Sequence, residues 1–174
     1  MTITIGIDPH KASHTAVAID NTECVLDALR VRACSSQTDR VRSWAAAFPD
    51  RVWAIESARG LGYLLAQQLV AAGETVVDVR AVLSTWTRLL GSGGAQKNDP
   101  NDARSVAIAA LRTDGLARVS IDEHAQVLKL LAKRHRDLGR LRGKAACRIH
   151  ALLMELEPGG IAQRLNLTRA NALL

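Results

Sequence analysis

Apolar and polar side chains alternate through "TITIGID", residues 2–8, and the run is rich in β-branched residues, so it predicts a strand ending at Asp8. "HTAVAID", 14–20, predicts a second strand, and after the turn "NTE" the run "CVLDALRVRA", 24–33, predicts a third. Joined by short turns, the three form an antiparallel meander. The period then lengthens. Over 36–47, Val41, Trp44 and Ala45 share one helical face and Ser36 stands where a cap belongs. "RVWAIES" predicts a buried strand ending near Glu56, 60–72 a helix stopped by Gly73, and "TVVDV" a fifth strand. Strands and helices in this order make an α/β layered body.

Beyond the fifth strand the texture changes. "LLGSGGAQKN" holds three glycines in four residues and reads as a loop. A helix follows from Pro100 to about Arg112, and after a break a long helical pattern runs from about 121 to 157, roughly 55 Å at about 1.5 Å per residue. Leu131, Leu138, Ala145 and Leu152 recur at sevens, as in a coiled-coil seam, although Arg134 and Arg148 interrupt the companion positions. The chain thus divides into a body, 1–115, and a helical segment with its tail, 116–174.

The formal charge of +6 sits mainly on that helix. Lys129, Lys133, Arg134, Arg136, Arg140, Arg142, Lys144 and Arg148 face the single acid Asp137 within 129–148, and the rest of the chain is near neutral. One basic segment on a neutral body fits a local polyanion contact and equally a solvated helix face. Three cysteines, 24, 34 and 147, with no Cys-x-x-Cys spacing argue against a disulfide framework and a structural zinc site. The five histidines form no His-Glu-x-x-His motif, so a bound metal is expected to be a hard ion on carboxylates. No apolar run approaches the roughly 18 residues of a membrane span, and the N-terminus lacks the pattern of a signal peptide. A cytoplasmic protein without membrane contact is expected.

The carboxylates carry the candidate chemistry. Asp8 and Glu56 each close an apolar strand, where an acid is costly unless paired or at the sheet's rim. In "NDPNDA", Asp99 suits an N-cap, Pro100 the first helical position and Asp102 the third. That capping role explains the three residues without any function; the same spacing also turns both aspartates to one side of the helix start. The element order matches the ribonuclease-H-like fold, a five-stranded mixed sheet flanked by helices, though strand–helix alternation alone also fits other α/β folds. In that arrangement the first and fourth strands lie parallel and adjacent, bringing Asp8 and Glu56 together, and a later helix can deliver Asp99 and Asp102. Four like charges so placed would repel unless cations sit between them.

"GIDPHK", "VWAIESARGLGY" and "GSGGAQKNDPNDARSVAIAAL", in this order and at these separations, resemble the N-terminal domain of insertion-sequence-110 family transposases. That family is similar to RuvC-type junction resolvases and Piv-type DNA invertases. The resemblance covers roughly residues 2–115, and the basic helix resembles the family's coiled-coil segment. It implies a RuvC-like domain whose catalytic and metal-binding tetrad is Asp8, Glu56, Asp99 and Asp102, with Mg²⁺ or Mn²⁺ as cofactor. It implies DNA strand cleavage and exchange by a dimer or higher oligomer held through the long helix, directed by a structured guide RNA. Lys11, in "DPHK", and Lys129, Lys133, Arg136, Arg140, Arg142 and Lys144 are the candidate nucleic-acid contacts. Family members carry a further C-terminal domain with a serine nucleophile; no serine follows Ser120, so a fragment lacking that half of the site is expected. A standalone junction nuclease and a non-catalytic dimerising nucleic-acid-binding fragment are the alternatives. A sugar-kinase-like domain also begins Gly-Ile-Asp, but "PHKAS" offers no phosphate loop. Arg59 is expected to pair with Glu56, and Trp44, Trp53 and Trp86 to lie in the core.

Overall fold

A computed structural model of the chain describes residues 2–90, 99–122, 124–156, 158–159 and 168. The body is a five-stranded mixed sheet built from β1 (Ile3–Pro9), β2 (Ser13–Ile19), β3 (Val25–Arg32), β4 (Arg51–Glu56) and β5 (Val76–Val79). Their order is β3-β2-β1-β4-β5. The first three strands form the antiparallel meander the alternation predicts, while β4 runs parallel to both β1 and β5. The helices α1 (Gln37–Ala45) and α2 (Tyr63–Ala71) cover one face. There Ile5, Ile7, Val31, Val41, Trp53, Ile55, Leu65 and Leu69 form the main core. Each such side chain contributes about 1.5–3 kcal/mol by leaving water.

The other face is covered by α4 (Asp99–Arg112), which meets Val17, Ile19 and Ala54 through Ala103, Val106, Ala107 and Ile108. Gly6 makes this close crossing possible. A Cβ at residue 6 would overlap the Ala103 carbonyl oxygen and lie 2.5 Å from the Ala107 nitrogen. The far end of α4 is held by Arg112, whose guanidinium pairs with Glu23 in the β2–β3 turn. The helix is therefore fixed at both ends, with its first turn over the rim of the sheet.

Several expectations change in detail. A helix not foreseen from the sequence, α3 (Ala81–Leu90), follows β5 and packs beside α4. Only its Ser84 is buried, and Trp86 is 60% exposed instead of lying in the core. Trp53 is buried as expected, and Trp44 is half-buried, edge-on to Phe48. Ser36 stands at the start of α1 but makes no side-chain cap; its hydroxyl meets Cys34 Sγ at 3.3 Å instead. Most of the glycine-rich loop, 91–98, lies outside the described residues.

Residues Met1–Ile121 form one compact unit and Asp122–Leu174 a second. In the second, α5 (Ala125–Leu156) has 32 residues, shorter at both ends than the sequence pattern and about 48 Å long. Its seam residues Leu131, Leu138 and Leu152 are all exposed. No helix among the described residues is long and apolar enough to cross a membrane.

Candidate functional site

Strand register sets the geometry. Ile7 of β1 lies opposite Ile55 of β4, so the next residues, Asp8 and Glu56, end side by side on the face that α4 covers. On the other flank of β1, Asp8 faces Thr15 of β2, and Thr15 faces Arg30 of β3. Glu56, Asp8, Thr15 and Arg30 thus form one row across four strands at the rim. Above it, α4 brings Asp102 into a pocket of about 330 Å³ that it shares with Asp8, His10, Glu56, Ser84 and Arg88.

Asp8 is the most enclosed of the acids, with 7% of its surface exposed. Its carboxyl is pushed up to about 6, first by burial and then by the charges of Glu56, Asp102 and Asp99; His10, whose Nδ1 is 3.5 Å away, works in the opposite direction. The remaining acids have neighbours of their own. Ser84 donates its hydroxyl to Glu56. Arg88 Nη1 lies 2.5 Å from Asp102, and Arg30 Nη2 lies 3.4 Å from Asp99. Asp8, Glu56 and Asp102 therefore converge in one pocket, while Asp99 turns toward a neighbouring groove with Arg30. Among the described residues, no three acidic, histidine or cysteine side chains are gathered closely enough to hold one ion. Each α4 aspartate is instead paired with an arginine, Asp102 with Arg88 and Asp99 with Arg30. The donor chemistry nonetheless fits a hard divalent ion: the acids offer carboxylate oxygens only, and their mutual repulsion is what an intervening cation relieves.

Four neighbours of the acids, Ser84, Arg88, Thr15 and Arg30, do not stand out in the sequence. Ser84 and Arg88 reach the acids on α3, where a spacing of four puts them on one side of the helix. The others become neighbours of the acids only through strand register. Arg59 departs from its expected partner: it lies 3.7 Å from Asp78 and not beside Glu56. Ser57, at φ 51°, turns the chain toward β5, where the Ala58 amide donates to Asp78 Oδ1 at 2.8 Å. Lys11 is exposed in the β1–β2 turn. On α5, Lys129, Lys133, Arg136, Arg140, Arg142 and Lys144 are all exposed, with Arg140 3.4 Å from Asp137.

The profile of the insertion-sequence-110 family of DEDD transposases, described as "Transposase", matches residues 5–158. The fold is similar to that of Thermus thermophilus RuvC in complex with a Holliday junction substrate, at 15% identity and a TM-score of 0.50, over 68% of this chain and all of that one. A second Thermus thermophilus RuvC structure gives 15% identity and a TM-score of 0.49, over 67% of this chain and 99% of that one. No curated protein matches the sequence. The sheet order, the flanking helices and the RuvC likeness make the fold ribonuclease-H-like, with a long C-terminal helix.

Proposed function

Because the chain belongs to the insertion-sequence-110 family of DEDD transposases, a family of DNA recombination proteins with a RuvC-like fold, we propose that it is the strand-cleaving part of such a recombinase. In this reading Asp8, Glu56, Asp99 and Asp102 hold Mg²⁺ or Mn²⁺. The observation that carries it is the convergence of Asp8, Glu56 and Asp102 in one pocket, with the Asp8 carboxyl pushed up by burial and by the other acids.

Once bound, such ions supply charge stabilisation to the attacking and leaving oxygens of a phosphodiester. The protein's part is placement. Asp8 and Glu56 are fixed by paired strands, and Ser84 orients the Glu56 carboxylate. Asp102 arrives on a helix locked down at Gly6 and must exchange Arg88 for the ion. Asp99, three residues earlier, joins by leaving Arg30. The exposed basic side chains of α5 support contact with DNA and with a structured guide RNA, while Leu131, Leu138 and Leu152 support pairing of two copies along that helix. Autonomous junction cleavage is the second reading, favoured by the likeness to a RuvC solved with a Holliday junction; cutting of a four-way DNA junction by this chain alone would select it.

Metal linkage tests the site. Mg²⁺ or Mn²⁺ at about a hundred times its Kd should add about 2.7 kcal/mol to stability and raise the melting temperature by on the order of 10 °C. Asp8→Asn should remove that response. An equal shift in wild type and variant would rule out these acids as the metal site.

A separate experiment addresses α5. Binding to DNA or RNA should weaken steeply with salt. Neutralising Lys133, Arg136, Arg140 and Lys144 together should lower the log–log slope by about 0.7–0.9 for every phosphate they pair with. The metal response should survive. Unchanged salt dependence would leave the segment as a solvated helix face.

A further inference from the structure

The row of side chains across the rim does not stop at the acids. On the opposite flank of Asp8 lies a groove of about 460 Å³ lined by Thr15, Ala28, Leu29, Arg30, Asp99 and Pro100. Two of its side chains are incompletely used by the fold. Thr15 is 3% exposed, and its Oγ1 is buried with no hydrogen-bond partner among the described residues. Buried hydroxyls are almost always paired, and an orphan marks a place where a partner is missing. Arg30, by contrast, is held only loosely: its side chain is 67% exposed, 3.4 Å from Asp99 Oδ2, with Nη2 3.3 Å and Nε 3.4 Å from Ser13 Oγ.

We infer that this groove is a second phosphate subsite, in which the Thr15 hydroxyl and the Arg30 guanidinium hold the DNA backbone next to the phosphate placed over Asp8. The inference rests on the proposed role of the acids for its direction and on the groove for its chemistry. A phosphodiester offers acceptor oxygens to both donors, and a guanidinium can take two of them at once. Ala28 and Pro100 provide an apolar wall suited to the sugar. With strands about 4.8 Å apart, Thr15 and Arg30 lie roughly 5 and 10 Å across the sheet from Asp8, within reach of an adjoining nucleotide. Arg30 must give up Asp99 to bind phosphate, which frees that carboxylate to turn toward the acidic pocket. Occupation of the groove and completion of the tetrad thus favour one another.

The test is binding of a labelled DNA duplex of fixed sequence, measured in EDTA over a range of salt. Arg30→Gln should weaken binding about tenfold at 0.1 M salt and lower the log–log slope by about 0.9. Thr15→Val, nearly the same shape without the hydroxyl, should weaken it about fivefold, and Thr15→Ser should restore it. Unchanged DNA affinity and slope in Arg30→Gln would overturn the subsite, as would a Thr15→Val protein that is more stable yet binds DNA as wild type does. Weakening confined to an RNA duplex would also overturn it. The Mn²⁺-induced melting shift is recorded on the same samples. Its absence from wild type counts against the metal reading alone, because the DNA measurements contain no metal.

Discussion

Replacing Gly6 with alanine should destabilise the body by about 3 kcal/mol, at the upper end of what overpacking a core costs. The added methyl group has nowhere to go. It would overlap the carbonyl oxygen of Ala103 and sit 2.8 Å from the Ala107 Cβ, so α4 must lift from β1. Backbone atoms give way less readily than flexible side chains. Ala103 immediately follows Asp102, so the same lift takes a carboxylate out of the acidic pocket and should abolish the metal response even in molecules that remain folded. Urea unfolding measures the first effect and a melting shift with Mn²⁺ the second. Gly139→Ala on α5 is the control, since a Cβ there meets nothing within 4 Å. That change should be neutral or stabilising by about 0.5–1 kcal/mol. A Gly6→Ala protein within about 0.5 kcal/mol of wild type would refute the close crossing.

Asp8→Asn should stabilise the metal-free protein at neutral pH while removing its response to metal. In the unfolded chain this carboxyl titrates near 3.8, and in the folded protein at about 6. Between those values the folded state binds more protons than the unfolded one. Stability conferred by Asp8 is therefore full below about pH 4, falls as pH rises toward 6, and stays low above it. A shift of this size corresponds to about 3 kcal/mol, which solvent at the pocket mouth reduces to about 1–2 kcal/mol. His14 opposes the trend. Burial holds its pKa below the usual 6.5, so its contribution is lost as pH falls. Urea midpoints of wild type and Asp8→Asn between pH 4 and 7.5 in EDTA cancel His14 in the difference. The variant should gain on wild type as pH rises, and saturating Mn²⁺ should reverse their order at pH 7. Parallel profiles would mean that neither burial nor the other acids raise the Asp8 carboxyl.

The parts of the fold visible in the sequence are those whose burial follows a simple period. The strands alternate or run apolar because each faces a packed layer, and their terminal acids, Asp8 and Glu56, stand out against that background. The helix α3 does not announce itself. Its apolar residues Val82, Trp86, Leu89 and Leu90 are exposed and its one buried residue is the polar Ser84, the reverse of the usual pattern, and Arg80 before it is no capping residue. With α3 go Ser84 and Arg88, which touch two of the acids. Arg59 pairs away from Glu56 for a different reason: a left-handed residue, Ser57, redirects the chain, and nothing in "ESARG" distinguishes that turn from a direct helix start. The arginine pairs on Asp99 and Asp102 are equally hidden, because charge partners far apart in sequence are decided by packing.

The acids come from β1, β4 and the start of α4, spread over residues 8–102. Asp8 leaves the ribosome early, yet it has no parallel neighbour until β4 is made and no Asp102 above it until α4 has docked on Gly6. At roughly 5–20 residues per second, about 5–20 s of synthesis separate the first acid from the last. During that interval no partly made chain can present the assembled cluster. On the proposed reading of these acids, a growing polypeptide could not cut the nucleic acid around it until α4 has docked.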